Sequence, residues 1–404
     1  TYSEFKYTQN VIFENSHFFP DITFCPLGSE YPNNLYDPNY TDVRNEFWYL
    51  VENKDILDYI AEDNATNIDD EAHRLTVNVF ADMPTTKFSN LNKVQKQNLK
   101  IKNYTDVFIT CVFNYRNCNE TEFHMIWYQD YINCLTFKTK DRSTMNQDTG
   151  FHVNVYIGGT STAANTGHTL GIRHTDSSTG IKIIVHDTNT EPNSYESSVS
   201  LPPGFSAEID ITQSKVTRLS EPYSACENKF HHGKKLSFLQ NVAACIQGEI
   251  LLKCGCVSVN QAFSPVQAVP DYKFCSEWTK NTTTFSKSVI CEVKTWQKVR
   301  QKCVEDSKYP CNENNYAAQV SMSRWPNKNQ VKSFVKRFVS IHPPSRRSLV
   351  NYFREDDGNF QNWSQIEKHL NNITSKKLQK WAEENFVQAS ILLDGNPVAH
   401  YVSL

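Results

Sequence analysis

No window of this 404-residue chain holds eighteen consecutive apolar residues, so no helical membrane span lies within it. Neither sign of charge is in surplus. The 41 Lys and Arg against 44 Asp and Glu leave a formal charge of −3, without the clustered basic excess that a nucleic-acid surface needs. The chain contains no G-x-S-x-G, no H-E-x-x-H, no P-loop and no G-x-G-x-x-G. Nothing in it therefore supports catalysis or calls for a cofactor, although a catalytic set can be gathered from distant residues. No signal peptide opens it: Thr1-Tyr2-Ser3-Glu4 has neither a basic n-region nor an apolar h-region. Internal repeats and low-complexity tracts are absent as well.

Cysteine is what the chain does have. It holds twelve, eight of them between 226 and 311. That density needs an oxidising compartment, and the even number fits six disulfides with no thiol left over. The reading is an extracellular object stapled along one long element. Such a chain needs a route out of the cell, so its ends are expected to continue into segments not included here. Its length allows several layers around more than one apolar cluster. Seven N-x-S/T sequons, at Asn39, Asn64, Asn103, Asn119, Asn281, Asn362 and Asn372, mark segments that face water if glycans are attached.

Two patterns invite a metal reading. Cys254-x-Cys256 is narrower than the C-x₂–₄-C knuckles of structural zinc sites, and no second knuckle follows, so disulfides fit better and no metal is expected. His231-His232 lies beside Lys234 and Lys235 and reads as a solvated loop.

Periodicity sets the element order. Residues 1–26 form an extended lead-in, with Ile22 and Phe24 alternating as in a half-buried strand. Helices are predicted over 42–63 and 90–104, the first acidic and the second basic. Cys111 and Cys118 bound a short loop that one bridge can close. Region 131–220 is strand-rich: Phe151, Val153, Val155 and Ile157 alternate with polar residues, as do Ile181, Ile183 and Val185, and Phe205, Ala207, Ile209 and Ile211. Helical spacing returns over 235–252 and 289–304, a strand follows around 318–322, and two further helices are expected at 328–341 and 364–386. The second of these opens with Ser364-Gln365-Ile366-Glu367, a capping-box pattern. A strand from Val387 to Leu393 closes the series.

The stretch 42–71 carries ten Asp or Glu against Arg44 and Lys54. Two readings stand. One is a solvated helix face, the usual fate of a charge run. The other notes aromatics among the acids, since Phe47, Trp48 and Tyr49, with Asp55, Asp58 and Tyr59 beyond, could form an apolar pocket with carboxylates. Such a pocket suits a ligand with aromatic rings and a positive charge.

The cysteine block and its flanks resemble the degenerin/epithelial sodium channel family. The segments that carry this are Phe19-Pro20-Asp21-Ile22-Thr23-Phe24-Cys25, Asn133-Cys134-Leu135-Thr136-Phe137, Gly180 to His186 and Leu201-Pro202-Pro203-Gly204. They continue with Glu221-Pro222-Tyr223-Ser224-Ala225-Cys226, Cys254-Gly255-Cys256, Tyr309-Pro310-Cys311 to Tyr316, and Trp325-Pro326. The resemblance implies an α+β, hand-like extracellular domain with a central antiparallel palm sheet, a β-ball, a helical finger, thumb and knuckle, and a disulfide-rich thumb. It divides the chain into palm strands after a first transmembrane helix (1–40), finger (41–130), β-ball and palm strands (131–225), cysteine-rich thumb (226–311), palm strand (312–326), knuckle (327–386) and a palm strand leading to a second transmembrane helix (387–404). The implied bridges are Cys25–Cys134, Cys111–Cys118, Cys226–Cys311, Cys245–Cys303, Cys254–Cys291 and Cys256–Cys275. One family cysteine, four after Cys245, is replaced here by Glu249.

Within the family, acid-sensing members place carboxylate pairs on the second thumb helix, whereas this chain has Lys294, Lys298, Arg300 and Lys302 there. Close carboxylates are what raise a pKa toward neutrality, so proton gating is disfavoured. The chain is most similar to the FMRFamide-gated branch. The resemblance then implies a homotrimeric, peptide-gated sodium channel at the cell membrane, with this chain on the extracellular side and sodium ions in a pore outside it. A short amidated neuropeptide would dock at the finger on Phe47, Trp48, Asp55, Asp58, Tyr59 and Glu62. Motion would pass through the thumb to the Tyr223 loop, which would meet the first membrane helix near Tyr2 and Phe5. A packed loop aromatic is an equally good reading of Tyr223. Acid-sensing or constitutively active members of the family, and a secreted disulfide-rich binding protein, are the alternatives.

Overall fold

A computed structural model describes residues 8–11, 19–27, 103–128, 131–138, 150–158, 179–188, 190–193, 197–219, 225–231, 233–258, 273–275, 282–357, 360–393 and 399–403. Its class is α+β, with two sheets, a cross-linked helix pair and a second helical cluster. The expected helix at 42–63 lies outside the described residues, as does all but the end of the one expected at 90–104, where Asn103 caps a short helix that starts at Tyr104.

The larger sheet is built on one long strand. Its members are β1 (Thr8–Val11), β3 (Phe108–Phe113), β4 (Arg116–Asn117), β7 (Gly150–Tyr156), β10 (Phe205–Arg218), β13 (Asn312–Arg324), β14 (Phe386–Leu393) and β15 (Ala399–Ser403). β13 runs antiparallel to β10 along its whole length, from Phe205↔Arg324 to Thr217↔Asn312. The expectation of an antiparallel sheet needs one refinement. On its other side β10 pairs in parallel, first with β14 (Ser206↔Gln388 to Ile211↔Leu393) and then with β15 (Ser214↔Ala399 to Arg218↔Ser403). β15 in turn pairs antiparallel with β1. The end of β10 therefore lies one strand from the last described strand and two from the first.

The second sheet is antiparallel, ordered β5 (Phe123–Tyr128), β6 (Tyr131–Phe137), β2 (Asp21–Leu27), β8 (Gly180–His186), β9 (Ser198–Leu201). Its inner face meets that of the large sheet in one apolar core. Ile22, Phe24, Phe137 and Ile183 come from one side and Phe151, Val153, Ile209 and Ile391 from the other. Aromatic rings fill the middle: Phe137 and Phe151 lie 4.7 Å apart, and Phe24 meets Phe108 edge-on at 5.2 Å. β2 is not half-buried as its alternation suggests. All seven of its residues are buried, because Cys25, Leu27, Cys134 and Ile184 form a second small cluster behind it.

Two helices carry the cysteine block. α2 (Phe238–Cys254) starts three residues later than its apolar spacing implies, because Ser237 is its N-cap. Ser237 Oγ accepts from Gln240 N–H while Gln240 Oε1 accepts from Ser237 N–H, a reciprocal capping box. It stops at Gly255, whose φ of 66° is a left-handed conformation that glycine adopts without a Cβ clash. α3 (Thr282–Asp306) runs antiparallel to it. Cys245–Cys303 and Cys254–Cys291 require this, since the residue number rises along one helix as it falls along the other. The structure holds the six pairs that the family resemblance implies. Cys254 and Cys256 each close a disulfide, so neither is a metal ligand.

The remaining helices form a separate cluster around Trp381, Phe334, Phe353 and Phe386. They are α4 (Val331–Arg337), α5 (Pro343–Asp357), α6 (Trp363–His369) and α7 (Ser375–Asn385), while the short α1 (Tyr104–Val107) precedes β3. The single helix expected over 364–386 is two, broken at 370–374. The N-cap is Asn362 rather than Ser364, with Asn362 Oδ1 accepting from Gln365 N–H at 3.1 Å.

Candidate functional site at the base of the bridged helix pair

Residues 42–63, with Phe47, Trp48, Asp55, Asp58, Tyr59 and Glu62, lie outside the described residues, as do Tyr2, Phe5, Tyr223, Asn39, Asn64 and Asn281. The structure does describe the place where the helix pair meets both sheets. Three independent attachments converge there.

The first is covalent. Cys226–Cys311 ties the segment entering the helix pair to the one leaving it, with the two Cα atoms 4.9 Å apart. Asn228 Oδ1 accepts from the Cys311 and Asn312 amides, and Glu227 N–H donates to Tyr309 O. The two chains therefore run into β13 as one unit.

The second attachment is ionic and aromatic. Arg218 is the last residue of β10. Its guanidinium donates to Glu313 Oε1 at 2.6 Å and to Pro310 O at 2.8 Å, and it lies 4.8 Å from the Tyr309 ring centre. The Tyr309 ring stacks on Phe238, the first residue of α2, at 4.1 Å and 10°. The pair Arg218–Glu313 is about four-fifths buried on both sides, which protects it from the screening that weakens surface pairs. Sequence reasoning singled out Tyr309 to Glu313 as a motif but named neither Arg218 nor Glu313 as a working residue.

The third attachment is polar and joins the helix pair to the smaller sheet. Lys234 Nζ meets Glu191 Oε1 at 2.6 Å, Gln240 Nε2 donates to Glu191 O at 3.2 Å, and Thr190 bridges to Lys235 in parallel. Asn314 Nδ2 of β13 donates to Asp187 Oδ2 at 2.9 Å. Lys235 is half-buried, and burial pulls its ammonium pKa down against the opposing carboxylates of Asp187 and Glu313.

His186 stands behind this joint at the end of β8. Its Nε2 is 2.9 Å from Thr23 Oγ1, which is 2.8 Å from Thr136 Oγ1, and its Nδ1 faces Asp187 O at 3.2 Å. A neutral ring that donates from Nδ1 and accepts at Nε2 satisfies every partner in this chain. Burial, aided by Lys234 and Lys138 and opposed by the Asp187 carbonyl, lowers its pKa from 6.5 to about 4. Tyr316, which follows in β13, has its hydroxyl pKa raised by burial and by the carboxylates of Asp187 and Asp21.

The exposed side of α3 carries Lys298, Arg300 and Lys302, with Arg300 over the Trp296 ring at 5.0 Å. Glu249, at the position of the missing family cysteine, pairs with Lys253 at 2.9 Å. Of the sequons, Asn103, Asn119, Asn362 and Asn372 are described and all are exposed. Among the described residues no helix is long and apolar enough to cross a membrane.

What the joint can do is mechanical. A helix pair joined by two disulfides stands on a base that touches the ends of β8, β10 and β13, and β10 pairs with β15, which pairs with β1.

Comparison with known proteins agrees with this architecture. The sequence model of the family described as amiloride-sensitive sodium channel matches residues 3–401. The FMRFamide-activated amiloride-sensitive sodium channel of Cornu aspersum is 24% identical over 339 residues, 73% of this chain and 52% of that protein. The epithelial sodium channel gamma subunit of Rattus norvegicus is 23% identical over 274 residues, 63% of this chain and 38% of that protein. The beta subunit of Homo sapiens is 20% identical over 263 residues, 62% and 37% of the two chains. The chain thus spans about half or less of the length of these relatives.

Proposed function

Because the chain belongs to the amiloride-sensitive sodium channel family, we propose that it is the extracellular, ligand-receiving part of a peptide-gated sodium channel opened by a short amidated peptide of the FMRFamide kind. The observation that carries this is the match to the FMRFamide-activated relative, which runs over 339 residues against 274 for the gamma subunit. In this reading the large sheet is the palm, the smaller sheet the β-ball, α2 and α3 the thumb, and α4 to α7 the knuckle. Membrane helices flank the chain, three copies surround a sodium-conducting pore, and the exposed sequons carry glycans on the outer side of the cell membrane.

The peptide docks on the finger, its rings against Phe47, Trp48 and Tyr59 and its cationic groups against Asp55, Asp58 and Glu62. Tighter binding to the open state shifts the resting equilibrium. The disulfides make the thumb a lever rather than a spring, and its base delivers motion to β10, β15 and β1, and through the Tyr223 loop to the first membrane helix near Tyr2 and Phe5. A panel of amidated peptides applied to the full-length channel in oocytes tests the reading: an amiloride-blocked inward current evoked by Phe-Met-Arg-Phe-amide is expected. Asp58→Asn and Trp48→Ala should then raise the half-maximal peptide concentration; unchanged values at normal surface expression reject the finger pocket. Tyr223→Ala should bind peptide normally and lose current, and an unaltered response removes that loop from the relay.

A second reading follows from the matches to epithelial sodium channel subunits. There the chain is a constitutively active subunit, and a steady amiloride-blocked current with no peptide present would select it.

A further inference from the structure

We propose that Arg218 and Glu313 form the positioning pair that passes movement of the bridged helices into strand β10, an inference that rests on the channel reading above. The argument is one of connectivity. Arg218 touches the aromatic stack on α2, the segment leaving α3 and the large sheet at once. Its guanidinium faces the Tyr309 ring, whose other face stacks on Phe238. The same fork holds Pro310 O and the Glu313 carboxylate at the start of β13. Its own amide donates to Cys311 O at 2.6 Å, so side chain and backbone grip the same turn. On the far side Arg218 pairs in register with Ser403 of β15. A tilt of the helix pair moves Phe238 and Tyr309 first, and Arg218 is the next rigid group in line.

The chemistry asks for arginine. A planar fork can meet a carboxylate, a carbonyl and a ring face together, whereas a lysine ammonium offers one point charge. The Cys226–Cys311 bridge fixes only the distance between the two legs of the helix pair. It does not fix the angle they make with β10, and the Arg218 fork is what sets that angle.

The test is a charge swap in the full-length channel, with Phe-Met-Arg-Phe-amide as the probe. Arg218→Glu and Glu313→Arg should each cut the maximal peptide-evoked current about tenfold, while surface labelling and the half-saturation of bound labelled peptide change less than about twofold. That split separates transmission from binding. The double variant Arg218→Glu with Glu313→Arg should return at least about half of the current, since paired residues couple. Wild-type current in Arg218→Glu, or a double variant no better than either single one, overturns the proposal. If Arg218→Glu fails to reach the surface, Arg218→Lys decides: the charge stays, the fork is lost, and a fall of about threefold is expected, with full current overturning it. A wild-type channel silent to the peptide refutes the peptide-gated reading alone. Hydrogen exchange on the same full-length protein then decides the pair: Arg218→Glu should speed exchange in 238–242 and 312–316 and the swap should reverse it, whereas unchanged exchange overturns the proposal.

Discussion

The two helical regions of this molecule solve the same problem by opposite means. The pair α2–α3 encloses a thin core in which Val242, Ile246, Ile250 and Val299 share their cluster with Cys256, Cys275 and Cys303. Four disulfides hold that region. The cluster α4–α7 has no cysteine in its core and instead buries Trp381, Phe334, Phe353, Phe386 and eleven others. Two helices cannot surround an apolar interior, so covalent links replace the missing surface burial. Four helices leaning on the Phe386↔Tyr156 end of the sheet can surround one. The difference bears on the proposed relay: a region held by apolar packing would yield locally, whereas a cross-linked pair would move as one body and concentrate motion at its base.

The comparison breaks first where a large side chain is removed from the cysteine-free cluster. Trp381 is 1% exposed, meets Phe386 edge-on at 5.1 Å and donates its indole N–H to Ser348 Oγ at 3.3 Å. Trp381→Ala should cost about 3–5 kcal/mol. Thermal unfolding would show it, and hydrogen exchange should rise in α4–α7 while α2–α3 stays protected. The converse experiment removes the longest link between the two bridged helices. Cys245→Ala with Cys303→Ala opens a loop of 58 residues, for which chain entropy gives up to about 4 kcal/mol. Exchange should then rise in α2–α3 alone. Equal loosening of both regions in either experiment would show that they are one cooperative unit.

Acid sharpens the comparison, because each region rests on a buried imidazole. His186 supports the base of the bridged pair. His342 joins the helical cluster to α1 through Thr105 O at 2.9 Å, and its pKa too is lowered by burial, against opposing effects of the Thr105 carbonyl and Asp106. The unfolded chain titrates His186 near 6.5 and the folded one near 4. Between those values the unfolded state binds more protons, so stability falls as the pH drops through that window. At neutral pH both states are uncharged and nothing is lost; below about pH 4 the cost reaches about 3 kcal/mol. Melting curves from pH 7.5 down to 4 should fall, and His186→Gln should flatten most of that slope. A slope unchanged in the variant would assign the acid sensitivity to other groups.

How far these features could be read in advance follows from the range of the forces involved. Alternation in 151–157, 181–185 and 205–211 is local, and those strands appear where it points. The burial of both faces of β2 is not local, since the covering residues Cys134 and Ile184 are distant in sequence. Neither are the parallel ladders of β10, whose partners lie near the other end of the chain. No helix was expected where α5 lies; it opens with Pro343 and Pro344, and proline is at home at the first helical position. The break at 370–374 was hidden by its own packing: Leu370 and Ile373 enter the same core as Trp381, so the apolar period runs on through the turn. At the joint, Tyr309 to Glu313 stood out through its cysteine and proline. Arg218 did not, because a lone arginine has no period and its carboxylate partner is 95 residues away.

The smallest effect separates two roles of one side chain and again sets the regions apart. Asn362 and Asn372 both lie in the cysteine-free cluster. Asn362 Oδ1 caps α6, which leaves its Nδ2 as the atom a glycan would take. Ser364→Ala destroys the sequon and spares the cap. Asn362→Gln destroys both. The first should shift stability by less than about 0.5 kcal/mol and the second lower it by about 1 kcal/mol, while both remove the same mass from the tryptic peptide if Asn362 carries a glycan. If the two variants lose stability equally, the sugar rather than the cap steadies α6, and the cluster would then rest on a covalent addition much as the helix pair rests on its disulfides.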